Sequence, residues 1–247
     1  MTPRLPAGPL LLLLLLLLSC SAPDTLFRKQ SSAATGIGFN NTITENDSIN
    51  PLDMEYLYNG GGVAVGDFNN DGRPDLYFTA GQVSNKLYLN KGNLRFRDIT
   101  EAAGVTGESR WSNAASVVDI NCDGWLDLYV CATVASQPGH RTNLLYVHQG
   151  LDEQGIPRFK ELARDYNLAD TGMSVHAAFF DYDRDGDLDV YLLTTALASR
   201  NSTRFDGGEE GARRLSDKLM RNEGPDSLGH PWFRDVSAEA GISDEGY

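Results

Sequence analysis

The sequence predicts an all-β fold, a β-propeller of four-stranded blades of which this chain supplies about three. Three observations predict it. One acidic nine-residue segment occurs three times in register, as DFNNDGRPD (67–75), DINCDGWLD (119–127) and DYDRDGDLD (181–189). Each copy lies between short apolar runs bounded by Gly, Asn and Asp, the composition and spacing of strands rather than helices. Four such runs recur per unit, and a four-stranded sheet that cannot bury both faces alone must stack on neighbours, as propeller blades do.

Taken in order, the first strand of each unit is VAV (63–65), ASVV (115–118) or AAFF (177–180), and the second, beyond the acidic loop, is LYF (76–78), LYV (128–130) or VYLL (190–193). The third lies in NKLYLNKG (85–92), NLLYVHQG (143–150) and DKLMRNEG (217–224), and the fourth in FRDIT (96–100), FKELA (159–163) and FRDVS (233–237). The units cover about residues 59–106, 111–168 and 173–243, and residues 21–58 form an N-terminal linker. Within it, FNNTITE (39–45) resembles the fourth-strand segment and is expected to be a closing strand. The final AGISDEGY (240–247) matches AGV (103–105), the link that leads into the next unit. A β-helix is the alternative architecture, but its turns repeat over far fewer residues.

The loops have the chemistry of a hard-cation site. Side-chain oxygens stand at positions 1, 3, 5 and 9, a main-chain carbonyl is expected at 7, and glycine stands at 6, where the chain turns sharply. The first loop offers Asp67, Asn69, Asp71, Asp75 and the Arg73 carbonyl; the second offers Asp119, Asn121, Asp123, Asp127 and the Trp125 carbonyl. The third offers Asp181, Asp183, Asp185, Asp189 and the Asp187 carbonyl. Oxygen ligands without His or Cys favour calcium over zinc or copper, so about three Ca²⁺ are expected. These are not EF-hands, whose twelfth position is a bidentate Glu; here it is Phe78, Val130 and Leu192.

With these loops and strands, the chain resembles the FG-GAP or VCBS-type repeats, which form integrin-like propellers with calcium loops between the first two strands of a blade. YNGGGVAVGD (58–67), together with the NKLYLN and FRDIT segments, also looks like bacterial surface lipoproteins that carry a later ASPIC/UnbV domain. The resemblance covers about residues 39–247. It implies an extracellular adhesion or ligand-binding module for a protein or glycan partner, without one agreed substrate.

The first twenty residues read as a lipoprotein signal, with Arg4, nine leucines over residues 10–18, and then Ser19-Cys20. The leucine run is too short to span a hydrocarbon core of about 30 Å. The expected product is secreted, at a bacterial outer membrane or cell surface, and lipidated at Cys20. Cys122 and Cys131 are expected to be free thiols, because two cysteines are too few for a disulfide framework. A formal net charge of −13 makes nucleic acid a poor partner.

His140, His148, His176 and His230 share no spacing with a nucleophile and read as structural or surface residues. Trp125 is expected to pack on a neighbouring blade, with stacking on a sugar as the alternative. The insertion at 196–216, with Arg200, Arg204, Arg213, Arg214 and Glu209-Glu210, is a candidate binding loop. No acid–base pair or nucleophile–base motif lies outside the acidic loops, so binding is expected rather than catalysis. A calcium-dependent polysaccharide-degrading enzyme, or its accessory domain, is the alternative.

Overall fold

A computed structural model describes residues 26–52, 54, 57–133, 141–195 and 216–242. The expectations for the signal segment and Cys20, for His140, and for residues 196–215 lie outside these. Residues 1–31 and 32–247 form two units; the described part of the first, 26–31, is exposed and carries neither helix nor strand.

Among its described residues the second unit has twelve strands and is otherwise regular only in two single turns of helix, α1 (Ser32–Thr35) and α2 (Thr100–Ala103). Its twelve strands make three antiparallel four-stranded sheets, each a simple meander. The first comprises β1 (Val63–Gly66), β2 (Asp75–Phe78), β3 (Lys86–Asn90) and β4 (Phe96–Asp98). The second comprises β5 (Ser112–Val118), β6 (Asp127–Ala132), β7 (Leu144–Leu151) and β8 (Pro157–Glu161). The third comprises β9 (Ser174–Phe180), β10 (Asp189–Thr194), β11 (Lys218–Pro225) and β12 (Pro231–Asp235).

The sheets repeat the same register around the central tyrosine of the second strand. Tyr77 pairs with Ala64 and Leu87, Tyr129 with Ser116 and Leu145, and Tyr191 with Ala178 and Leu219. These are propeller-like blades, and they pack face to face. Because side chains alternate along a strand, Leu128 and Val130 of β6 join the first blade's Phe68, Tyr77 and Leu87 in one core. Tyr129 and Cys131 join Val190, Leu192 and Phe233 of the third blade in another. All six residues of β6 are therefore buried.

A polar staple crosses each blade boundary. Asn85 Nδ2 donates to Tyr77 Oη (2.9 Å) and, across the boundary, to Ser112 Oγ (3.2 Å), while Asn85 Oδ1 accepts the Ala80 N–H. Asn143 repeats the pattern with Tyr129 (2.9 Å), Ser174 (2.8 Å) and the Ala132 N–H. In the third blade Asp217 stands in this place and accepts from Tyr191 Oη and the Thr194 N–H.

Residues 39–45, expected as a closing strand, are assigned no strand, and Phe39 stacks on Phe78 of the first blade with centroids 5.1 Å apart. What repeats there is the segment just before, the link that enters a blade. Gly36 (φ +80°), Gly104 (φ +79°) and Asn167 (φ +57°) all occupy left-handed backbone. A Cβ on Gly36 would lie 2.5 Å from the Phe96 carbonyl oxygen and one on Gly104 3.6 Å from that of Phe159, while Asn167 Nδ2 donates to the Phe233 carbonyl (2.8 Å). Each link thus rests on the same phenylalanine of the following blade's outer strand.

Candidate metal centre

Each acidic loop joins the first two strands of a blade and is closed by the ladder itself. Gly66 pairs with Asp75, Val118 with Asp127 and Phe180 with Asp189, so the residue before position 1 faces position 9. The turn needs left-handed backbone at two positions. Gly72, Gly124 and Gly186 at position 6 have φ of +81°, +86° and +100°, and Asn70, Cys122 and Arg184 at position 4 have φ of +53°, +56° and +66°. Sequence reasoning identified only the glycine.

Backbone N–H groups hold the position-1 carboxylates of the first two loops and the position-9 carboxylates of all three. Asp67 accepts from the N–H groups of Asp71 (3.0 Å) and Gly72 (2.7 Å), and Asp119 from those of Asp123 (3.0 Å) and Gly124 (2.9 Å). Asp75 accepts from Phe68 N–H (3.0 Å) and Asn90 N–H (2.7 Å), Asp127 from Ile120 (3.0 Å) and His148 (2.7 Å), and Asp189 from Tyr182 (2.7 Å) and Asn222 (2.9 Å). Asp75, Asp127 and Asp189 are fully buried. Burial, reinforced by the neighbouring loop carboxylates, pushes Asp75 up to about 6 and Asp127 up to about 7, against their backbone hydrogen bonds.

In the third loop, carboxylate oxygens of Asp181, Asp183 and Asp189 lie within 4.8 Å of one another. Asp185 is outside that group and accepts the Asp187 N–H (3.1 Å). Arg221 approaches Asp183 to 4.0 Å from β11. Asp187, expected to contribute its carbonyl, also turns its carboxylate inward: Oδ1 is buried without a partner, and burial together with Asp185 and Asp189 raises the group to about 6. In the first loop Asn69 Oδ1 is likewise buried without a partner, while its Nδ2 donates to Asp71 (3.0 Å). Unsatisfied buried oxygens among carboxylates are the atoms that a cation would satisfy.

The remaining position-7 side chains fold back over β3 or β7 of their own blade. Arg73 Nε donates to the Asn90 carbonyl (3.1 Å) and its guanidinium pairs with Asp71. The Trp125 indole stacks on His148, with centroids 4.5 Å apart and planes 8° apart, rather than on a neighbouring blade. His148, which the sequence marked only as structural or surface, is buried at the loop face, and burial holds it below its ordinary value. Cys122 is exposed, Cys131 is buried, and both thiols are free.

Residues 67–130, from the first loop into β6, match the FG-GAP-like repeat. The chain is also similar to two proteins named cartilage acidic protein 1. The Xenopus tropicalis protein is 26% identical over 176 residues, which is 70% of this chain and 25% of the relative. The Mus musculus protein is 27% identical over 191 residues, which is 75% of this chain and 27% of the relative. The chain thus spans about a quarter of the length of these relatives.

Proposed function

We infer that this chain is a secreted, calcium-binding repeat module that presents its blades to an extracellular protein or glycan. The observation that carries this reading is the threefold recurrence of one loop, closed by the same strand register and holding its carboxylates on backbone N–H groups. The two orphaned oxygens, on Asn69 and Asp187, support it. Asp67, Asn69, Asp71 and Asp75 would hold the first ion, Asp119, Asn121, Asp123 and Asp127 the second, and Asp181, Asp183, Asp185, Asp187 and Asp189 the third. The ion supplies charge neutralisation, not chemistry: without it the carboxylates of each loop repel one another at the mouth of a strand pair. The name of the relatives, cartilage acidic protein 1, fits an acidic module of extracellular tissue.

Extracellular modules of this kind bind calcium at roughly 10⁻⁴–10⁻³ M, and a site at 100-fold saturation adds about 2.7 kcal/mol of stability. Melting should therefore shift upward by many degrees from chelator to roughly 10–100 mM Ca²⁺, the concentrations at which such sites reach that saturation, with calorimetry counting about three ions. A melting curve indifferent to chelator, in protein first shown to be metal-loaded, would sink the reading. Attachment through a lipid at Cys20 is the accompanying proposal, and Cys20→Ser should release the protein from the membrane fraction and abolish fatty-acid labelling.

A further inference from the structure

We propose that His148 is a positioning residue that couples the first two loops across the blade boundary, so that ions in loops 67–75 and 119–127 bind cooperatively while loop 181–189 binds independently. This rests on the calcium reading above and concerns how its sites communicate.

The residue at the end of each blade's third strand has a common task. Asn90, His148 and Asn222 each give their backbone N–H to the position-9 aspartate of their own blade, and each side chain accepts the N–H two residues on. Those pairs are Gly92 to Asn90 Oδ1 (2.9 Å), Gly150 to His148 Nδ1 (2.8 Å) and Gly224 to Asn222 Oδ1 (3.0 Å). Asparagine performs this task in the first and third blades. Histidine preserves the acceptor and places its donor one ring-width farther out.

That donor fixes the link. A backbone N–H can only donate, so the Gly150 contact makes Nδ1 the acceptor, and the ring proton resides on Nε2. Nε2 then donates to the Phe68 carbonyl at 2.9 Å. Phe68 lies between the expected ligands Asp67 and Asn69, so this bond clamps the first loop's peptide from the second blade. The same imidazole carries Trp125 of the second loop on its face. A parallel tie runs from Asn70 Nδ2 to the Gly124 carbonyl (3.4 Å). Any shift of one loop on ion binding is therefore imposed on the other through a ring held at both nitrogens. The first-blade counterpart, Asn90, instead directs its Nδ2 to Pro74 in its own loop, at 2.9 Å.

Trp125 makes the coupling measurable, because its fluorescence reports on the second loop once the signal of a Trp125→Phe variant is subtracted. With Ca²⁺ as the only added ligand, Asp71→Ala in the first loop should move the Trp125 midpoint to at least about fivefold higher calcium, the lower end of ordinary coupling. Asp185→Ala in the third loop should leave it in place. In a His148→Asn background, which reproduces the residue of the other two blades, the effect of Asp71→Ala should fall to less than about twofold. If native protein shows neither calorimetric heat nor a Trp125 change with Ca²⁺, the calcium reading fails and takes this one with it. If calcium binds but Asp71→Ala leaves the midpoint within about twofold, the coupling alone is overturned. A full-sized shift that persists in folded His148→Asn protein removes His148 as its carrier.

Discussion

Asp75 and Asp127 are buried carboxylates, each fastened by two backbone N–H groups, and yet both are held above the ordinary aspartate value of 3.8. The folded, metal-free protein therefore binds more protons at these two sites than the unfolded chain between about pH 4 and 7, and their contribution to stability falls as pH rises through that window. A bound cation reverses the preference, since it needs both groups ionised. The gain in melting temperature from chelator to Ca²⁺ should accordingly be larger at pH 8 than at pH 5; an equal gain at both would show that these carboxylates do not face the ion. Among the loops, the third has an aspartate at every ligand position and adds the inward Asp187, so in calcium Asp185→Ala should cost more stability than Asp71→Ala, read from paired melting curves. Equal losses would remove that ranking.

Between blades, the boundary is held by one buried amide as much as by apolar surface. Asn143 satisfies the Tyr129 hydroxyl, the Ser174 hydroxyl and the Ala132 N–H, all in fully buried residues. Asn143→Ala removes the amide partner of the Ala132 N–H and of the Ser174 hydroxyl, while Tyr129 Oη keeps its bond to the Leu168 carbonyl (2.9 Å), and at about 1–3 kcal/mol for a single orphaned polar group it should lower the denaturant midpoint more than a typical surface change. Asn143→Asp keeps the acceptor, as Asp217 does in the third blade, and should cost less than Asn143→Ala. The link before the first blade is equally specific. Gly36→Ala meets both a left-handed backbone and a carbonyl oxygen at 2.5 Å, whereas Gly104→Ala meets only the former, so melting should fall further for Gly36→Ala.

These elements also show where sequence reading stops. Strands and loops were legible because strand alternation and ligand spacing are local. The staple was visible only as a recurring Asn at 85 and 143, since its partners are supplied by the fold, some of them by the next blade. The link at 32–37 is hidden for a different reason: its likeness to TEAAGV (100–105) rests on few residues, and Phe39 offers a more obvious match to Phe96. His148 was passed over because Asn holds its place in both other units, so its reach to Phe68 appears only once two blades are side by side.

Across the whole molecule, stability in a stacked array is the sum of each repeat's own term and its interfaces with neighbours, and among the described residues the three blades are unequally placed. The middle blade is covered on both faces: β6 has no exposed residue. The first blade leaves Val63 and Val65 of β1 exposed on the face away from its neighbour, and the third leaves Phe180 and Leu193 exposed. Opening β6 therefore breaks two interfaces and the Asn143 staple, which it holds through Tyr129 and Ala132, whereas opening β1 or β12 breaks one interface at most. Local opening free energies should follow that count. In native-state hydrogen exchange the slowest amides should be those of β6 and its partner β7, with β2 and β10 intermediate and the outer strands fastest. Asn143→Ala, which frees the third blade, should speed exchange in β9 and β10 far more than in β2. Exchange in β10 as slow as in β6, and unmoved by that substitution, would mean that the blades open as one unit rather than as an array joined at two boundaries.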